Sequence, residues 1–387
     1  MNRESLPGPG GRNAPESGIM AAVNHGRNRQ GVIPLWAGES DLPTPEFICE
    51  PAIAALRAGE TFYTWNRGIP ELREALARYH QRHFGRAGEP ERHIVAGSGM
   101  QAIVLAIQAI AGADDEILYL SPAWPNFPAA LGVAGGRAVP VALDFDDGWS
   151  FDPGRLADAV TPKTRAIFLN SPSNPTGWTA DRATLEAVLS IARDNGLWII
   201  ADETYALFHY GKGRAASFLD VMDDDDRIIF ANTFSKNWAM TGWRVGWLTI
   251  HPSLQQAFEN LVQYSTSGVP QFLQKGAVAA LDEGDAFIVE QVARAAEARD
   301  LVCSALEATG RVRLGRPEGA FYLFFGIDGV ADTTAATFDI IDEAGVGLAP
   351  GTAFGEAGAP YFRLCFHRRL DHLESAMERL GGWIAAR

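Results

Sequence analysis

Between residues 92 and 250, short apolar runs alternate with segments whose apolar residues recur at helical spacing, and few folds accommodate that alternation. The runs are EILYL (116–120), AIFLN (166–170), LWIIAD (197–202), RIIFAN (227–232) and VGWLTI (245–250). Between them lie GMQAIVLAIQAI (99–110) and ATLEAVLSIARDNG (183–196), the second closing on Asn195-Gly196, a good helix stop. Uninterrupted apolar strands separated by helices form a mostly parallel sheet covered on both faces. Ligands of such sheets bind beyond the carboxyl ends of the strands. After residue 270 the pattern changes to an Ala-rich helical stretch (271–309), then the strands AFYLFFGI (320–327) and YFRLCFH (361–367). At roughly 150 residues per domain, 387 residues make two domains. The expected division is a mobile arm over 1–18, a segment over 19–50 packing with the smaller domain, a large domain over 51–285 and a small α+β domain over 286–387.

Charge and cysteine content exclude several functions. With 33 basic and 47 acidic residues the net charge is −14, unsuited to a nucleic-acid or anionic membrane surface. Cys49, Cys303 and Cys365 are widely spaced with no CxxC, so neither a disulfide scaffold nor a zinc site is expected. His80 and His83 share a helical turn without a carboxylate placed as a ligand, and no metal site is assigned. The N-terminus lacks an apolar signal core, and no apolar run approaches the roughly 18 residues of a membrane span. A cytoplasmic protein is expected. The acidic run Asp223 to Asp226 reads as a solvated loop.

The strand ends carry the chemistry. RIIFAN runs into TFSKNWAMTGWR, where Lys236 could condense with an aldehyde and Thr233, Ser235 and Arg244 could hold a phosphate; alone, the lysine could equally be a surface residue. Asp202 closes an apolar strand, where a carboxylate needs a cation, either a pyridinium nitrogen or a structural arginine. Tyr205 is three residues on. AGSGMQ places Ser98 at a helix start whose free N–H groups suit a phosphate, or simply caps the helix.

Taken together, these elements resemble the fold type I pyridoxal-phosphate-dependent aminotransferases of class I/II, the aspartate aminotransferase superfamily. The resemblance rests on YTWNRGIPELREAL (63–76), SGMQAI (98–103), SPAWPN (121–126), NSPSNPTG (170–177), DETY (202–205), TFSKNWAMTGWRVG (233–246) and YFRLCFH (361–367), in the family's order from about residue 30 onward. It implies a mostly parallel seven-stranded sheet in a large domain binding pyridoxal 5′-phosphate, with a smaller α+β domain. It further implies a homodimer with shared active sites, acting on small amino-acid and 2-oxo-acid substrates by a ping-pong mechanism. Lys236 would be the Schiff-base lysine and proton carrier, Asp202 the partner of the pyridinium nitrogen, and Tyr205 and Asn174 the partners of the phenolic oxygen. Trp124 would stack on the ring. Ser98, Gly99, Met100, Thr233, Ser235 and Arg244 would hold the phosphate, joined by Tyr63 and Ser267 of the neighbouring subunit. Arg363 would bind the substrate carboxylate, flanked by Gly38 and Asn174.

Some positions depart from the family pattern. Met100 and Gln263 stand where dicarboxylate-using relatives carry cations, leaving Arg67 as a nearby substitute. Trp36, Trp65 and Trp124 could instead line an apolar pocket, so neutral or aromatic donors are expected over aspartate. A β-lyase, racemase or amino-acid oxidase on the same scaffold shares these motifs. A regulator retaining the cofactor would carry a DNA-binding domain ahead of this fold, where only about 30 polar residues stand.

Overall fold

The computed structural model describes residues 8–86 and 88–387; residues 1–7, part of the expected mobile arm, lie outside the described residues. The central sheet has seven strands in the order His93–Ala96, Gly246–Thr249, Ile228–Thr233, Trp198–Asp202, Thr164–Asn170, Glu116–Ser121 and Arg137–Ala142. All neighbours are parallel except Gly246–Thr249, which is antiparallel to both of its own. The reason lies in the link from Thr233. It holds one 3-10 turn, Thr241–Trp243, and no helix long enough for the crossover that a parallel return needs. Two strands add to the five apolar runs of the sequence. His93–Ala96 is only four residues long, and Arg137–Ala142 is a half-exposed edge strand holding Pro140, where a missing N–H is tolerated.

Helices cover both faces. Gly99–Ile110 packs Ala102, Ile103, Ala106 and Ile107 on Ile117, Phe168, Ile200 and Ile229. On the opposite face Arg182–Asn195 packs Leu185, Val188, Leu189 and Ala192 on Ile167, Leu169, Ile199 and Phe230. That helix is capped by Asp181, whose side chain accepts from Thr184 N, and stops at Gly196 in the left-handed region, φ 63°. The stretch 271–309 is two helices, Gln271–Glu283 and Asp285–Glu307. They part at Gly284, where a Cβ would lie 2.4 Å from the Trp238 indole nitrogen.

A second, antiparallel sheet has the order Val312–Leu314, Tyr322–Ile327, Phe362–Cys365 and Ala349–Pro350. The N-terminal segment leans on it: Ile33–Pro34 pairs with Val346–Gly347, and Leu35 is buried beside Phe325 and Leu364. Residues 9–12 form one helical turn near the helix Asn126–Val133, to which Asn13 donates through Gly132 O (3.0 Å). The acidic run is not fully solvated. Arg193 grips Asp223 and Asp226, and Asp226 is buried. Among the described residues no helix is long and apolar enough to cross a membrane.

Register brings three strand ends level, with Asn170 opposite Asp202 and Asp202 opposite Ala231. Everything described next hangs from that edge.

Candidate active site

A cavity of about 370 Å³ opens over those strand ends. Asp202, buried at the end of its strand, faces it, with Oδ1 accepting from Thr204 N (3.3 Å). Burial pushes its carboxyl up to about 6, outweighing the Thr204 hydrogen bonds and the Lys236 charge that act the other way. Lys236 enters from the loop after Ile228–Thr233 and donates from Nζ to Gly38 O (2.6 Å). Burial pulls its ammonium down to about 8, against the attraction of the Glu39 carboxylate. An amine that loses its proton near pH 8 is neutral and nucleophilic at physiological pH far more often than an ordinary lysine.

The cavity's opposite end is built for an anion. Ser98 caps the helix Gly99–Ile110, its Oγ accepting from Gln101 N (2.9 Å), so the first turn's N–H groups face the cavity mouth. Glycines let three elements meet there. A Cβ on Gly99 would lie 2.9 Å from Thr233 Cβ, and one on Gly246 would lie 2.6 Å from the Ser98 carbonyl carbon. Thr233 donates to Ser235 Oγ (2.9 Å), and Arg244 adopts φ 56° while donating to Thr241 O (2.6 Å). Gly99, Met100, Thr233, Ser235 and Arg244 all border the cavity, with Trp124 on its apolar side.

Arg363, on Phe362–Cys365, forms a third point. It is buried, yet among the described residues it pairs with no carboxylate. It donates to Asn174 Oδ1 (3.2 Å) and Trp36 O, its Nε has no partner, and its guanidinium lies 4.8 Å from the centre of the Tyr322 ring. A buried cation without a counter-ion is costly, and an incoming carboxylate would supply one.

Tyr322 was not legible in sequence, because GAFY (319–322) reads only as a strand start. Its hydroxyl bonds the Tyr205 hydroxyl (2.8 Å), and a Cβ on Gly38 would fall 2.1 Å from it. Gly38→Ala is therefore expected to displace Tyr322 and cut kcat/KM about tenfold or more, at an overpacking cost of roughly 1–3 kcal/mol. Adding Tyr322→Phe should restore part of the loss; a Gly38→Ala enzyme with unchanged kcat/KM would contradict this contact. Ser17, Ile19 and Met20 also border the cavity. They start the helix Gly18–Gly26, and the sequence signal for them was the Ser17 cap, which accepts from Met20 N.

Several expected residues lie away from this cavity. Tyr63 is 93% exposed, and with Ser267 it lines a separate shallow groove. Arg67 pairs with Glu259 (3.8 Å), Gln263 accepts from Asn66, and Trp65 is exposed. Trp36 borders the cavity, but its ring is pressed against Gly26 and Gly347, leaving its carbonyl to meet Arg363.

A lysine, a buried carboxylate, an anion cup and an unpaired arginine at the carboxyl edge of a parallel sheet define an enzyme site for a charged small molecule. The family model for aminotransferase class I and II matches residues 30–380, and the chain belongs to that family; it is an aminotransferase. It is 35% identical to an aspartate/prephenate aminotransferase of Thermus thermophilus, over 91% of each chain. It is likewise 35% identical to aromatic-amino-acid aminotransferase 2 of Thermococcus litoralis, over 91% of each. An alanine aminotransferase structure from Pyrococcus furiosus superposes with a TM-score of 0.93 at 27% identity, covering 99% of this chain and 100% of that one.

Proposed function

We propose that this aminotransferase binds pyridoxal 5′-phosphate, the cofactor of its family, and moves the amino group of a neutral, apolar or aromatic α-amino acid to a 2-oxo acid by a ping-pong mechanism. The observation that carries the reading is the set of three charges around one cavity, Lys236, Asp202 and the unpaired Arg363. The cup at Gly99, Met100, Thr233, Ser235 and Arg244, with Ser98 behind it, fits a phosphate, and the desolvated Asp202 fits a ring nitrogen that must stay protonated. When bound, the cofactor supplies an aldehyde that takes up amines and a protonated ring that draws electrons from the α-carbon.

The chain's own residues do the rest. Lys236 would hold the aldehyde and serve as the base that carries a proton at the substrate α-carbon. Asp202 would keep the ring nitrogen protonated. Asn174 and Tyr205 would hold the phenolic oxygen, and Trp124 would pack on the ring. Arg363 grips the substrate carboxylate through its planar fork, beside Gly38 and Asn174. Three free cysteines, two of them buried, fit a reducing, cytoplasmic setting.

The lining supports the donor class. Among the described residues of this chain the Lys and Arg side chains bordering the cavity are Lys236, Arg244 and Arg363, all engaged above; Ile19, Met20, Met100, Ile103 and Trp124 give it an apolar wall, and a second carboxylate would have to find its cation on the neighbouring subunit. Most of the relatives' names are of aspartate aminotransferases, with aromatic-amino-acid, arginine–pyruvate and alanine enzymes among the rest, and the apolar wall of this chain's cavity favours the aromatic class. Phenylalanine and methionine are expected to exceed aspartate in kcat/KM. A wild type preferring aspartate by more than about tenfold, or 1.4 kcal/mol, overturns the donor class. Loss of that preference in Arg67→Ala would then name Arg67 as the cation.

Tyr63, Ser267 and Arg67 would serve the neighbouring subunit's site in a homodimer. Phe62, Tyr63, Trp65 and Tyr264 are all strongly exposed there, an apolar patch that suits a self-interface. Mixed dimers of Tyr63→Phe and Lys236→Ala should regain activity beyond either parent, because one of their two sites carries neither defect. No gain in verified heterodimers would place Tyr63 in its own subunit's site or outside the site.

A further inference from the structure

The backbone of residues 36–39 lies between two sets of cations. On one side Trp36 O accepts from Arg363 and Gly38 O accepts from Lys236. The intervening carbonyls serve the other side. Arg368 donates from Nη2 to Ala37 O (3.3 Å) and from Nη1 to Glu39 O, while its Nε reaches Pro34 O (3.4 Å). The stretch bends at Trp36, Ala37 and Glu39, with Glu39 N also donating to Ala37 O (3.1 Å), so a donor set that holds the 37 and 39 carbonyls holds the turn that presents 36 and 38 to the other side. In a sheet a neighbouring strand would supply those donors. Here one buried guanidinium takes that place, because five N–H donors in a planar fork can hold several carbonyls at once. The segment's far end is pinned by the same face: Asp41 accepts from Arg294 and from Arg369 N (2.7 Å).

We propose that Arg368 is a positioning residue for substrate-carboxylate binding: by holding the Ala37 and Glu39 carbonyls, it sets the stretch against which Arg363 and Lys236 are aligned. The inference rests on the reading of Arg363 as the carboxylate ligand. Arg368 touches neither substrate nor reacting atoms. Without it, Ala37 O keeps only the Glu39 N–H of its own turn and Glu39 O only the weak Cys365 thiol (3.6 Å), and the segment must shift to find better donors. That shift moves Trp36 O and Gly38 O, and with them the arginine and the Gly38 backbone that flank the carboxylate. The phosphate cup takes Gly99, Met100, Thr233, Ser235 and Arg244 from residues 98–100 and 233–246, and among the described residues none of these five hydrogen-bonds residues 36–39.

The test is a comparison of Arg368→Met, Arg368→Lys and Arg363→Lys with wild type. Binding of 3-phenylpropanoate, a carboxylate without an amine, is measured alongside kinetics and cofactor affinity. Arg368→Met is expected to weaken 3-phenylpropanoate and raise KM for both substrates about tenfold, with kcat changed less than threefold and cofactor affinity less than twofold. Arg368→Lys, which keeps the charge but not the fork, should fall between. It also serves as the decisive variant should Arg368→Met fail to fold. A general structural defect would lower cofactor affinity and kcat together, and that pattern overturns the proposal. So does an unchanged KM and inhibitor affinity in a folded variant that lacks the fork. Arg363→Lys separates the two readings. If it leaves carboxylate binding intact, the assignment of Arg363 fails. If it weakens binding and the Arg368 variants do not, only the role of Arg368 fails.

Discussion

Lys236→Ala is expected to lower kcat by about 10⁴-fold or more, because one substitution removes both the covalent anchor and the proton carrier. The side chain is half-buried with its Nζ on Gly38 O, and desolvation has already brought the amine to about 8. The loss should not come from unfolding. The main effect on folding is removal of a poorly solvated ammonium, so thermal stability of the cofactor-free variant should stay within a few degrees of wild type. Treating the loaded variant with borohydride should leave no cofactor attached to the chain. Retained turnover, or a cofactor still reducible onto the protein, would mean that another amine does this work.

Asp202→Asn should reduce kcat by about 10²–10³-fold, the scale of removing one preorganised charge from a water-poor site. The same variant carries a second expectation of opposite sign. In the cofactor-free protein burial raises the Asp202 carboxyl from 3.8 to about 6. A raised carboxyl means that the folded state holds its proton more tightly than the unfolded chain. The native state is therefore penalised as pH rises from about 4 to about 6, and the full penalty, about 3 kcal/mol, applies above that window. Asn carries no such penalty. Urea unfolding of the cofactor-free proteins should show Asp202→Asn more stable than wild type at pH 8, with the difference fading toward pH 4. A variant less stable than wild type at pH 8 would show Asp202 serving a structural cation instead. The opposing effects on turnover and stability are the mark of a group held for chemistry at the expense of the fold.

What was legible in sequence was whatever a short stretch of chain settles by itself. Asp202, Lys236 and Arg244 announce themselves as polar residues at the ends of apolar strands, and the structure brings all three to one cavity. The helix 183–196 carried its own stop at Asn195-Gly196. Elements lacking local contrast did not show: His93–Ala96 is too short, and Arg137–Ala142 is half exposed and broken by Pro140. Residues placed by long-range contacts were equally silent. Tyr322 meets Tyr205 across 117 positions, and Arg368 meets Glu39 across 329. Nothing near either in sequence hints at the partner. Proximity in sequence does not fix which cavity a residue faces. Arg67 and Trp65 sit in one motif with Tyr63, but the turn before Pro70 sends Arg67 toward Glu259 and leaves Trp65 in solvent, away from this chain's own cavity.

In the proposed reaction the chain would pass an amino group to pyridoxal phosphate and then to a second substrate, without releasing it. The most direct measurement is a single half-reaction: loaded enzyme mixed with phenylalanine and no 2-oxo acid, followed by quantitation of the products. The account predicts one equivalent of the 2-oxo acid per site, no ammonia, and no further turnover until 2-oxoglutarate or another 2-oxo acid is added. Continuous release of ammonia or peroxide in the absence of an acceptor would contradict it.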